Sequence, residues 1–122
     1  SHNPTKPKIV CGHYHIESPG YYDTNKKLKS ILMPLFKKYN VKAYVCGHEH
    51  LSEHRTIETK DYILQHFIAG GLETRPLFKP CNKTKFCSVE SAYLECTFTP
   101  KNCIFRFLRP NRETIYTFSI TI

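Results

Sequence analysis

Hydrophobic positions change rhythm along this chain. Ile9, Val10 and Cys11 form a short apolar run closed by Gly12, which predicts a strand over 8–11. A polar stretch with Pro19 and Gly20 reads as a loop. Leu28, Ile31, Leu32, Leu35, Phe36 and Tyr39 then recur at helical spacing and make one apolar stripe. Asp23 or Thr24 is placed to cap this helix and Asn40 to end it, while Pro34 inside the stripe is expected to kink or split it. Val41 to Cys46 returns to a strand, again closed by a glycine, Gly47.

Two strands joined by a helical crossover are almost always parallel, with a right-handed connection. Gly12 and Gly47 then stand at the carboxyl ends of neighbouring strands, where open α/β sheets bind ligands. Beyond His50 the period shortens to two. Residues 53–58 and 62–69 predict a hairpin turning at Thr59-Lys60-Asp61. Gly70-Gly71 opens a long loop to about Ser88. Strands at 89–98, 102–109 and 114–122 follow as an antiparallel meander, its turns at Pro100-Lys101-Asn102 and Pro110-Asn111-Arg112.

The length of 122 residues predicts one domain, with 1–7 a linker. At 40% hydrophobic and 13% aromatic, the composition is that of a globular chain. No apolar run approaches the roughly 20 residues of a membrane helix. The net charge of +8 includes Lys26, Lys27, Lys29, Lys37 and Lys38 around the helical stripe. They read as a solvated helix face or as an attraction for anions. No nucleic-acid recognition motif accompanies them. Four of the six cysteines cluster late, and local pairs Cys81–Cys87 and Cys96–Cys103 are expected. Asn82-Lys83-Thr84 matches a glycosylation acceptor, which with disulfides tilts the compartment toward the secretory pathway.

Candidate chemistry lies in a string that occurs twice with one residue changed, Val10-Cys11-Gly12-His13-Tyr14-His15 and Val45-Cys46-Gly47-His48-Glu49-His50. On one strand, residues i and i+2 face the same way, so His48 and His50 are expected on one side of the strand end. Neutral imidazole is a common ligand for zinc and iron. Two histidines on adjacent rungs suit two ions about 3.5–4 Å apart, and His13 would point into the same space. Cys11 and Cys46 offer an alternative structural zinc site, but within strands they read as small apolar residues.

The glycine–histidine pairs, the lysine-rich helix with Pro34-Leu35, and Phe67-Ile68-Ala69-Gly70-Gly71 together resemble the calcineurin-like metallophosphoesterases, and within them the small purple acid phosphatases. The resemblance implies an α/β fold, the C-terminal half of a four-layer α/β/β/α sandwich. It implies two divalent or trivalent metal ions, iron paired with iron, zinc or manganese. His13 and His48 would ligate one ion and His50 the other, for hydrolysis of a phosphate ester substrate. Where many of these enzymes have proline, this chain has His15, read either as an extra ligand or proton donor or as an imidazole at the surface or behind the ligands. Where small purple acid phosphatases place a second histidine, it has Tyr22. The carboxylate and asparagine ligands of the family's N-terminal half find no counterpart here. This chain alone is therefore expected to be inactive, with the missing N-terminal half as its partner. Membrane association is expected only through regions outside this chain, and no nucleic acid is expected. The alternative is a non-catalytic scaffold or interaction protein on the same sandwich. His54 is expected at the surface and His66 as a structural residue of its strand.

Overall fold

A computed structural model describes residues 6–19, 24–71 and 81–121. The elements are β1 (Lys8–Cys11), α1 (Lys26–Lys38), β2 (Val41–Cys46), β3 (Ser52–Thr59), β4 (Tyr62–Ala69), β5 (Thr84–Ser88), β6 (Tyr93–Phe98), β7 (Asn102–Leu108) and β8 (Thr114–Thr121). Strands β1, β2, β4, β3 and β5, in that spatial order, form a five-stranded sheet, and β6–β7–β8 form a second sheet of three. β1 pairs with β2, and β2 with β4, in parallel. The hairpin β3–β4 and the pair β3–β5 are antiparallel. The crossover and the meander are as the sequence predicts.

Helix α1 runs unbroken through Pro34. Pro34 sits on the exposed side, where the carbonyl its missing N–H leaves open can meet water, while Met33 and Phe36 hold the buried side. The cap is Asn25, whose Oδ1 accepts from the Leu28 N–H at 3.1 Å. Thr24 does not supply it, and Asp23 lies outside the described residues. Asn40 follows the helix with φ 58°, a left-handed conformation that asparagine tolerates and that turns the chain into β2. β5 falls inside the expected loop. Phe86 and Cys87 are its only apolar residues, so pairing with β3 rather than local pattern makes it a strand. The meander begins at Tyr93 rather than residue 89.

Each face of the larger sheet carries a core. On one face α1 packs Met33 and Phe36 with Ile16, Val41, Tyr44, Ile57, Leu64 and Ile68. On the other, Ala43 and Phe67 meet Cys103, Phe105 and Phe107 of the smaller sheet. Phe67 stacks on Phe105 at 4.3 Å between centroids. The described residues thus form three layers, helix, sheet and sheet.

All six cysteines are free thiols, so neither expected disulfide forms. Cys96 pairs with Phe105, and Cys103 with Phe98. The two cysteines are therefore diagonal neighbours about 7–8 Å apart, beyond the usual reach of a disulfide. Cys87 stands in β5 opposite Glu53, while Cys81 lies in the turn before that strand, its Sγ 3.9 Å from Thr84 Oγ1.

A correction concerns β3. His54, expected at the surface, has 0% exposure. β3 is an interior strand covered on both sides, so successive residues of its polar run point into opposite cores. His54 stacks on Phe67 at 4.3 Å, with Nδ1 2.7 Å from the Tyr116 hydroxyl and Nε2 2.7 Å from Gln65 Oε1. An amide oxygen only accepts, so Nε2 carries the proton and Nδ1 accepts from tyrosine. Burial pushes His54 down to about 4, keeping the ring neutral. His66 is fully buried as expected; its Nε2 accepts from the Ile16 N–H at 3.0 Å.

Candidate metal centre

The loops leaving β1 and β2 are tied together before any side chain is considered. Gly12 N–H donates to the Val45 carbonyl at 2.9 Å, and Gly47 N–H to the His13 carbonyl at 2.9 Å. Gly12 is required by close approach, since a Cβ there would fall 2.3 Å from the Tyr44 hydroxyl oxygen. That hydroxyl donates to the Tyr14 carbonyl at 2.7 Å. A Cβ at Gly47 would meet nothing closer than 3.8 Å, so its neighbour is the strained residue. His48 has φ 67°, a left-handed conformation uncommon outside glycine. β2 ends at Cys46, so His48 and His50 do not sit on alternating strand rungs as expected. A turn closed by Glu49 N–H to the Gly47 carbonyl, 2.8 Å, aims His48 instead.

That turn brings His48 Nδ1 to 3.3 Å from His13 Nε2. Two nitrogens bound to one tetrahedral ion at about 2.0–2.1 Å stand about 3.3 Å from each other, so this pair fits the donor spacing of a shared zinc-like ion. Around it, Tyr14 packs 4.8 Å from the rings of both His13 and His48. His15, only 3% exposed, lies nearly parallel to His48 at 5.7 Å. Partial burial, then the neighbouring imidazoles of His15, His13 and His50, hold His48 below its usual basicity, against the opposing pull of Glu49. An imidazole that resists protonation is the ligand form. His50 is near enough to contribute to that shift. Among the described residues no group of three or more His, Cys, Asp or Glu side chains is arranged to hold a metal ion. The structure thus brings His13, His48 and His15 together, with His50 beside them; Tyr22 lies outside the described residues.

Sequence reasoning missed the supports of this cluster. Glu49, between the two histidines, is 1% exposed and accepts a short hydrogen bond from the Ser18 hydroxyl. Gly70, after β4, lies so close to the Glu49 carbonyl that a Cβ would reach within 1.9 Å of its oxygen. Three loops therefore converge on the residue between His48 and His50. Behind them, Arg55 bonds both oxygens of Glu53 at 2.7 and 2.8 Å, and Glu17 at 3.1 Å. Burial alone would raise Glu17, but Lys29 at 2.6 Å, with Arg55 and Lys83, outweighs it and holds the carboxyl low. No local pattern signals these partners, because Glu17 and Arg55 are 38 residues apart.

Residues 1–52 match the family model of calcineurin-like phosphoesterases. Purple acid phosphatases 4 and 3 of Arabidopsis thaliana are 36% and 38% identical over 66 residues, 54% of this chain and 19% and 18% of theirs. The chain therefore spans about a fifth of the length of these relatives. Among solved structures, GAP50, described as the anchor in the inner membrane complex of Plasmodium, superposes with a TM-score of 0.76 at 26% identity, over 93% of this chain and 36% of that one. Purple acid phosphatase PPD1 from yellow lupin seeds superposes with a TM-score of 0.73 at 16% identity, over 93% of this chain and 24% of its own. Residues 1–52 are thus similar in sequence to the calcineurin-like phosphoesterases, a 66-residue stretch is similar to plant purple acid phosphatases, and the described residues share the fold of a purple acid phosphatase.

Proposed function

We propose that this chain supplies the imidazole ligands of a dinuclear centre for phosphate ester hydrolysis. The observation that carries the reading is the 3.3 Å approach of His13 Nε2 and His48 Nδ1 at the ends of adjacent parallel strands. His13 and His48 hold one ion and His50 the second, with iron paired with iron, zinc or manganese as candidates. When bound, such a pair supplies Lewis-acid polarisation of the ester and activation of water. The chain's own part is orientation. The left-handed turn at His48 and the Tyr14 ring fix the two imidazole planes. His15 lies flat against His48, where it donates a proton to the departing alkoxide, a role shared with the phenol of Tyr22.

Three neutral imidazoles do not balance two dications, so the reading requires carboxylates from outside this chain, in an N-terminal half of the same fold. Support for that partner comes from β1, which among the described residues pairs only with β2, and from a 430 Å³ groove between β1 and α1 lined by Val10, Leu35 and Tyr39. Without the partner the chain is inactive. A secretory-pathway or extracellular location and a glycan on Asn82 complete the reading. No described helix is long and apolar enough to cross a membrane.

The test uses the full-length protein, an aryl phosphate substrate and elemental analysis. His48→Ala and His50→Ala each lower turnover by orders of magnitude and reduce bound metal. Turnover that survives both substitutions would refute the ligand assignment. A second reading, a non-catalytic scaffold, draws support from the likeness to an anchor protein. Wild-type protein that carries neither metal nor activity would favour it.

A further inference from the structure

The lysines of this chain are unevenly placed. β1, β2 and β4 run parallel, so one end of the sandwich carries the histidine loops and the opposite end carries the starts of these strands. At that opposite end Lys6, Lys8 and Lys42 line a 220 Å³ apolar pocket together with Phe98, Cys103 and Ile120. Lys37 and Lys38 end α1 at the same level, since Lys8 Nζ donates to the Tyr39 carbonyl at 2.8 Å. Lys37 Nζ reaches the Lys60 carbonyl in the β3–β4 turn at 2.9 Å. Lys101 lies in the β6–β7 turn, immediately after Phe98 and Thr99-Pro100. Among the described residues of this end, only Glu58 and Asp61 oppose these lysines. At the histidine end Lys26 and Lys27 are exposed as well, but Lys29 is paired with Glu17 and Arg109 with Glu90 and Glu113.

Large apolar side chains stand within this basic end. Phe98, the last residue of β6, is 65% exposed, and Ile63, at the start of β4, is 51% exposed. A basic surface that binds only nucleic acid or acidic protein needs no protruding apolar residues at strand tips. Lysines interleaved with exposed Phe and Ile match a bilayer interface, where ammonium groups meet lipid phosphates and the apolar tips enter the acyl boundary.

We propose that the end of the sandwich opposite the histidine loops is a docking face for an anionic lipid surface. It departs from the expectation that membrane association comes only from outside this chain, and it does not depend on the proposed catalysis. Docked this way, the histidine loops point away from the bilayer into solvent.

The test is sedimentation of the full-length protein with vesicles of phosphatidylcholine alone and of phosphatidylcholine mixed with phosphatidylserine. Binding to the mixed vesicles is expected to exceed binding to the neutral ones and to fall as salt rises. Lys42→Glu and Lys101→Glu should each lower partitioning by about fivefold. Phe98→Ser should lower it at constant charge. Lys26→Glu and Lys27→Glu, at the other end of α1, should leave it unchanged. All five positions lie at the surface or half-buried, and circular dichroism checks that each variant folds. Equal binding to neutral and mixed vesicles, insensitivity to these substitutions, or retention on duplex DNA without vesicle binding would overturn the proposal.

Discussion

His54 ties the two sheets by polar contacts across an aromatic core, from Gln65 on β4 to Tyr116 on β8. Protonating it in place would cost the bond accepted at Nδ1 and bury a charge among Phe67 and Phe118. Its folded pKa of about 4 lies below the ordinary unfolded value of about 6.5. The unfolded state therefore binds the proton first. The stabilisation is complete above pH about 6.5 and is lost as the pH falls toward 4, on the order of 3 kcal/mol in all. Urea denaturation of the full-length protein from pH 7 to 4 is expected to show this loss, with a shallower pH slope in His54→Gln. An unchanged slope would show that another group controls the acid limb. Gly70 is a second pressure point. Gly70→Ala must displace the Glu49 backbone, so it is expected to lower both stability and metal affinity, read by thermal melting and by metal titration.

At the scale of elements, β1, α1, β2, the β3–β4 hairpin and the meander are legible in the sequence because each carries its own period. β5 and the fate of Pro34 are not. The first depends on a partner strand, and the second on which side of the helix meets solvent. His54 is misread for the same reason: the unbroken polar run Ser52-Glu53-His54-Arg55 suggests solvent, yet β3 has no outward face over those residues. The histidine strings are legible as a pair, but the left-handed turn that aims His48 is not, since its local sequence resembles a strand ending. Helix α1 has a testable hinge at its start. Asn25→Ala removes the acceptor of the Leu28 N–H and is expected to cost about 1 kcal/mol, measured by denaturant midpoint. No measurable change would mean the first turn frays already.

At the scale of the molecule, the inter-sheet core of Phe67, Phe105 and Phe107 holds the layers together, and the loops at one end gather the imidazoles. Among the described residues, the edge of β1 and the half-exposed Ile31 and Leu35 of α1 leave apolar surface without cover. The isolated 122-residue chain is therefore expected to self-associate, seen as concentration-dependent sedimentation. Addition of the N-terminal half should suppress it. A chain that stays monomeric at high concentration would argue that this edge needs no partner.

Anomalous scattering from crystals of the metal-loaded full-length protein tests the account most directly. A peak about 2.0–2.1 Å from both His13 Nε2 and His48 Nδ1, with a second ion at His50, is the predicted result. Metal bound away from these rings, or at only one of the first two, would contradict it.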